Sequence, residues 1–168
     1  MKHILMLTGL FFLYGGCLKK TNQDCGTIGT TVAPDTEKQR VQTYLSANPD
    51  PSAVQLENSG LYYSVSVPGN TRKPGLCNVL SVKYVGRLES GNVFDQSSGT
   101  TPVSFQLGGL IEGWKRALPL LGEGGKMRLY IPPSLGYGPQ GLINPNTGAV
   151  IIPANQIIIF DMELVSFR

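Results

Sequence analysis

The sequence predicts an α+β fold in which an antiparallel sheet curls round one short helix. From Leu61 onward, apolar and polar residues alternate with a period of two in five separate runs. Between the third and fourth runs lies GGLIEGWKRALPLLGEGGK (residues 108–126), where Leu110, Ile111, Trp114, Ala117, Leu118 and Leu121 recur at helical spacing. Trp114 is the only tryptophan in the chain. A helix bounded by Gly108-Gly109 and Pro119 barely exceeds two turns and has almost no stability of its own in water. Burying a Trp side chain gives up to about 5 kcal/mol, from ~200 Å² at ~25 cal/mol per Å². The sheet therefore has to wrap the helix, with Trp114 filling its concave side.

Taken in chain order, residues 1–16 (MKHILMLTGLFFLYGG) read as a bacterial-type signal peptide. Lys2 and His3 make its polar start, and Ile4 to Tyr14 form an apolar run too short to span a bilayer. Gly15-Gly16-Cys17 matches the small-small-Cys end of a lipoprotein processing site, although Tyr14 stands where that pattern has a leucine-like residue. Lipidation of Cys17 is the expectation; an ordinary cleaved secretory signal with Cys17 lost or free is the alternative. More than one acyl chain on Cys17 would anchor the protein stably. Cys25 and Cys77 are then left as an even pair in an exported chain. Joined, they would close a loop of about 50 residues, which is ~4 kcal/mol in the loop-entropy model. They lack the CxxC spacing of a redox pair. A structural disulfide and two free thiols both stay open at this point.

Residues 17–33 are polar and small, as expected of a lipidated tether. Within residues 34–59, Pro34 and Asp35 suit a first helical turn, and Val41, Tyr44 and Leu45 share one side of a helix running to Ala47. With so few apolar positions, that helix is expected to dock on the domain or pair with another subunit. Asn48 to Ser59 is turn chemistry throughout.

The five runs occupy residues 60–168. Leu61, Tyr63, Val65 and Val67 mark the buried face of the first, and Leu80, Val82 and Tyr84 that of the second. Val103, Phe105 and Leu107 mark the third, Met127, Leu129 and Ile131 the fourth, and Ile158, Phe160, Met162 and Leu164 the fifth. Glu89-Ser90-Gly91-Asn92 is a hairpin turn into Val93-Phe94-Asp95.

Composition narrows the chemistry. A net charge of +3 over 168 residues, with no dense basic stripe, gives no reason to expect nucleic acid. The single histidine, His3, lies in the leader, so the mature chain can form neither a histidine-based metal site nor a Ser-His-Asp triad. No metal and no cofactor are expected.

The stretches VKYVGRLESGNVFDQSSGTTPVSFQLG, LIEGWKRALPLLGEGGKMRLYIPPSLGYG and VIIPANQIIIFDMEL, in that order, resemble the FKBP family of peptidyl-prolyl cis-trans isomerases. The resemblance runs from about Gly60 to Arg168. It implies a five- to six-stranded antiparallel half-barrel over one short helix, and a proline-binding pocket assigned residue by residue. Trp114 is implied as its floor and Tyr84 as a wall, with Phe94 and Asp95 beside it. Leu110 and Ile111 line the pocket, the Ile111 N–H meeting a substrate carbonyl, and Tyr137 donates its hydroxyl to that region. Ile152, Phe160 and Phe105 close the far side. Asp95 reads either as an ordinary turn acceptor or as the hydrogen-bond partner of Tyr84 across the pocket.

The function so implied is rotation of X–Pro bonds in exported polypeptides that are still folding, with macrolides as further ligands. The place implied is the outside of the cytoplasm in a bacterial envelope, anchored on the outer membrane or the periplasmic face. A non-catalytic proline-peptide-binding or holdase module is the alternative, and an envelope-structural lipoprotein assembling through its amino-terminal helix is a third class. Two departures bear on peptide preference and macrolide affinity. Val103 stands where many family members carry a pocket phenylalanine, and the segment 139–153 is longer than the family loop.

Overall fold

The alternating runs become the strands of one antiparallel sheet. The computed structural model describes residues 24–168, so the expected signal peptide and Cys17 lie outside the described residues. Helix α1 spans Asp35–Ala47, and strands β1 to β5 span Val54–Gln55, Tyr62–Val67, Val79–Leu88, Val93–Gln96 and Val103–Gln106. Helix α2 is Glu112–Ala117, followed by β6 (Gly125–Ile131), β7 (Leu142–Ile143), β8 (Val150–Ile152) and β9 (Ile158–Phe167). The main sheet has the order β1-β2-β6-β9-β3-β4. The far edge of β3 is shared: Val79–Val82 pair with β5, and Val85–Arg87 pair with β4. β7 and β8 form a separate two-stranded hairpin.

Two details depart from the sequence expectation. The main sheet has seven strands rather than five or six. The addition is β1, inside the segment expected to be turn throughout; two residues that pair with Tyr62 and Tyr63 leave no periodicity to detect. Val65 and Val67, expected on the buried face, are exposed. The register of β2 against β6 shifts between them, and β1 covers only the start of β2, so this end of the strand runs past the core.

The concave side of the sheet holds the main core, with Leu80, Val82, Leu129, Ile131, Phe160, Met162 and Leu164 packed round Trp114, Ala117 and Leu118. α2 lies directly on β6: a Cβ on Gly113 would stand 2.8 Å from the Ile131 side chain. Glycine inside a helix costs about 1 kcal/mol relative to Ala, and here that cost secures close approach to the sheet. A short 3₁₀ turn, Leu118–Leu120, follows α2 at Pro119.

The convex side is partly covered by α1. Val41 is fully buried against Tyr130, Ile157 and Ile159, with Tyr44, Leu45 and Tyr62 at the margin. Of the two expectations for this helix, the structure shows docking on its own domain. Residues 24–33, expected as a tether, also lie against the domain. Cys25 and Cys77 are joined by a disulfide with Cα atoms 4.9 Å apart. Lys115 Nζ donates to the Thr27 carbonyl at 3.0 Å, and Arg116 donates to the Gly29 carbonyl at 2.6 Å. The first stretch of described chain is thereby fastened along the outer side of α2.

Candidate active site

The inner ends of β3, β4, β5 and β9 point aromatic side chains at α2, and together they form a box. Trp114, at the centre, meets Phe160 at 5.0 Å, Tyr84 at 5.5 Å and Phe105 at 6.2 Å between ring centroids. All three contacts lie within 10° of perpendicular, at 80–86°. Edge-to-face geometry sets the positive rim of one ring against the negative face of the next, so the box has a defined shape as well as an apolar lining. Phe94 extends it, 5.6 Å from Phe160 at 84°. The box opens to solvent as a cavity of about 120 Å³, lined by Tyr84, Phe94, Asp95, Phe105, Leu110, Ile111, Trp114, Tyr137 and Phe160.

Nine of the ten residues implied by the resemblance as catalytic or substrate-binding are therefore brought together. The tenth, Ile152, is not. β8 pairs it with Leu142, and its side chain is 1% exposed in the core, outside the lining. Val103, partly buried against the same core, does not line the cavity either.

Asp95 is the single charged group of the lining. Its Oδ2 accepts the Tyr84 hydroxyl at 2.7 Å, and its Oδ1 accepts the Gln96 N–H at 2.8 Å. Both carboxylate oxygens are thus engaged, and the Tyr84 hydroxyl is tied to β4. Burial, then the hydrogen bond to Asp95, pushes the Tyr84 hydroxyl well above the ordinary tyrosine value. Burial, and after it the charge of Asp95, also raises Tyr137. Both hydroxyls therefore keep their protons at any physiological pH. Because the Tyr84 hydroxyl is given to Asp95, Tyr137 is the hydroxyl left to donate elsewhere. Ile111 caps the amino end of α2, so its own N–H lies outside the helical ladder.

Two residues that shape the box were not singled out from the sequence. A Cβ on Gly86 would stand 2.7 Å from Phe94 and 2.8 Å from Phe160, so only glycine lets both rings close over β3. The signal was present: a glycine inside a strand marks close approach by another group. Ser97, buried beyond the end of β4, accepts the Tyr84 N–H through Oγ at 3.1 Å and donates its own N–H to the Tyr84 carbonyl at 3.0 Å. It pins the backbone of Tyr84, and nothing in the sequence distinguishes it from its neighbour Ser98. Among the described residues, no group of three His, Cys, Asp or Glu side chains is placed to hold a metal ion.

The site is thus an apolar box of near-perpendicular rings, with the Tyr137 hydroxyl and the Ile111 N–H beside it. Residues 70–165 match the sequence profile of the FKBP-type peptidyl-prolyl cis-trans isomerases, and the chain belongs to that family. The FKBP-type peptidyl-prolyl cis-trans isomerase FkpA of Aeromonas hydrophila is 34% identical over 132 residues, which is 78% of this chain and 47% of its own length. The outer membrane protein MIP of Legionella longbeachae is 33% identical over 132 residues, covering 78% of this chain and 54% of its own. The crystal structure of a peptidyl-prolyl cis-trans isomerase from Pseudomonas syringae superposes with a TM-score of 0.65 at 31% identity, covering 83% of this chain and 98% of that one. The chain spans about half the length of the curated relatives it matches.

Proposed function

We propose that this chain is a peptidyl-prolyl cis-trans isomerase that rotates X–Pro bonds in exported polypeptides during folding. The observation that supports this most is the Trp114 box with its Asp95–Tyr84 hydrogen bond. Rotation about an X–Pro bond meets a barrier of ~18–20 kcal/mol because the twist breaks amide resonance. The planar amide is more dipolar than the twisted one, so taking the bond from water into an apolar box favours the twisted state. No bond is made or broken and no proton moves.

In this reading the proline ring rests on Trp114 between Tyr84, Phe105 and Phe160. The Ile111 N–H and the Tyr137 hydroxyl hold the flanking carbonyls, which keeps the substrate oriented while the amide turns. Asp95 acts by holding Tyr84. A macrolide ligand would occupy the same box and compete with client peptides. Residues 1–16 serve as the export signal, and a lipidated Cys17 anchors the domain to the bacterial envelope, on the outer membrane or the periplasmic face.

The test is refolding of a protein limited by proline isomerisation, with the chain from Leu18 onward added in catalytic amount. Refolding is expected to accelerate, with a preference for apolar residues before proline, and Asp95→Ala is expected to lower turnover while the fold persists. A folded protein that gives no acceleration would leave the box as a proline-peptide-binding module.

A further inference from the structure

We propose that α1, which lies outside the family-matched residues 70–165, is a positioning element of the active site: Glu37 and Arg40 brace both legs of the loop that carries Tyr137. The proposal rests on the isomerase reading above.

Between β6 and β9 the chain makes one excursion, from Pro132 to Ile157, that contains Tyr137 and the β7–β8 hairpin. On the outgoing leg, Glu37 Oε2 accepts the Ser134 N–H at 2.9 Å, three residues before Tyr137. On the returning leg, Arg40 donates to the Asn155 carbonyl at 2.9 Å. Asn155 in turn donates its N–H to the carbonyl of Gly138, next to Tyr137, at 2.8 Å. Asn155 makes these contacts at a φ of 56°, a left-handed conformation that asparagine adopts more readily than most residues. The other arm of the Arg40 guanidinium pairs with Glu89 at 2.9 Å, in the turn that leads to Phe94 and Asp95. One side chain therefore spans the loop that carries Tyr137 and the turn that leads into β4, the strand of Asp95.

Glu37, Arg40 and Val41 fall at i, i+3 and i+4, on one face of α1. Val41 seats the helix on Ile157 and Ile159, which fixes its depth against the sheet. The two polar contacts fix its register along the loops. Covering the isoleucines requires neither Glu37 nor Arg40, and half-exposed charged contacts add little to stability. Their directions, each onto a backbone group beside the pocket loop, are what a positioning role requires.

The experiment compares Glu37→Ala, Glu37→Gln and Arg40→Lys in the full chain, with and without Tyr137→Phe. Glu37→Ala is expected to lower kcat/KM roughly three- to tenfold, at the low end of what misplacing a positioned group produces, with little change in Tm. Glu37→Gln, whose amide oxygen still accepts the Ser134 N–H, is expected to restore most of that loss. Arg40→Lys keeps the charge but cannot reach Glu89 and Asn155 together, so it is expected to behave like Glu37→Ala and to serve in its place if the alanine variant does not fold. In the Tyr137→Phe background Glu37→Ala is not expected to lower kcat/KM further. The ¹³C resonance of the Tyr137 ring is expected to shift in Glu37→Ala and return in Glu37→Gln, a readout independent of turnover. If that resonance responds while the wild-type chain isomerises nothing, the isomerase reading fails and the brace stands. An unmoved resonance with unchanged kcat/KM, or an undiminished effect in the Tyr137→Phe background, would overturn the brace.

Discussion

β6 and β9, with the residues leading into β9, build both faces of the sheet and furnish them differently. Toward the concave side they present Leu129, Ile131, Ile158 and Phe160 to α2 and the aromatic box. Toward the convex side they present Tyr130, Ile157 and Ile159 to α1. Beyond the reach of α1 the convex face is a ladder of charges, with Arg128 and Arg87 on Asp161 and Lys126 on Glu163. The concave contacts are almost wholly apolar, so they give cohesion and shape without direction. The convex ones combine a small apolar seam with directed bonds that Arg40 donates and Glu37 and Asp50 accept. Cohesion and register are thus supplied from opposite sides of one sheet.

Removing the centre of each face separates the two roles most sharply. Trp114→Ala takes away the ring that three others meet edge-on, and a buried Trp→Ala change costs about 3–5 kcal/mol. Turnover is expected to vanish. Val41→Ala leaves a smaller gap under α1 and is expected to cost roughly 2 kcal/mol, from two methylene equivalents plus part of a cavity. Urea unfolding gives both numbers. Equal losses from the two would show that α1 belongs to the same cohesive unit as the box.

How far each face was legible follows from the same contrast. The concave face announces itself: strict alternation in β3 and β6, and one tryptophan on a helix too short to stand alone, define the wrapped core. Recognising the box as a site took the likeness to a family, because Trp114 and Phe160 on apolar faces read equally well as core. The convex face was half readable. Strict alternation puts Ile157 and Ile159 on the wetter face of the last run, yet both are buried. Four apolar residues in a row, Ile157 to Phe160, are what a strand covered on both sides looks like. The clamps were not readable at all. Glu37 and Arg40 look like ordinary solvated positions on a polar helix, and Ser134 and Asn155 sit about 100 residues away from them. Directed bonds to backbone groups leave no pattern in side-chain type.

A milder perturbation separates the two amino-terminal pieces. The Cys25–Cys77 bridge closes a loop of separation 52, for which the entropy model gives ~4 kcal/mol, and disulfides commonly deliver ~2–4 kcal/mol. The bridge holds residues 24–33 along α2, whereas α1 has its own seam and clamps. Reduction is therefore expected to lower the Tm and to speed amide exchange in 24–33, with α1 still protected and the pocket still active. Exchange that quickens through α1 as well would show that its docking depends on the bridge rather than on Val41, Glu37 and Arg40.

Acid is expected to act most weakly. Burial alone would raise Asp50, but hydrogen bonds from Ser64 at 2.6 Å and Tyr130 at 2.8 Å outweigh it and hold the carboxyl below its ordinary 3.8. On the α2 side, burial would likewise raise Glu112, and Lys115 and Arg116 hold it below its ordinary 4.5. In both cases the folded chain releases its proton more readily than the unfolded one. The stabilisation is therefore complete above the ordinary carboxylate values and is lost as pH falls through the lowered ones. Urea midpoints are expected to be level from pH 7 to about 5 and to decline below the ordinary values of 3.8 and 4.5. Asp50→Asn and Glu112→Gln are each expected to lessen the decline, because each removes a carboxyl that the folded chain holds below its ordinary value. A decline that stays as steep in both variants would show that neither Asp50 nor Glu112 carries the acid sensitivity.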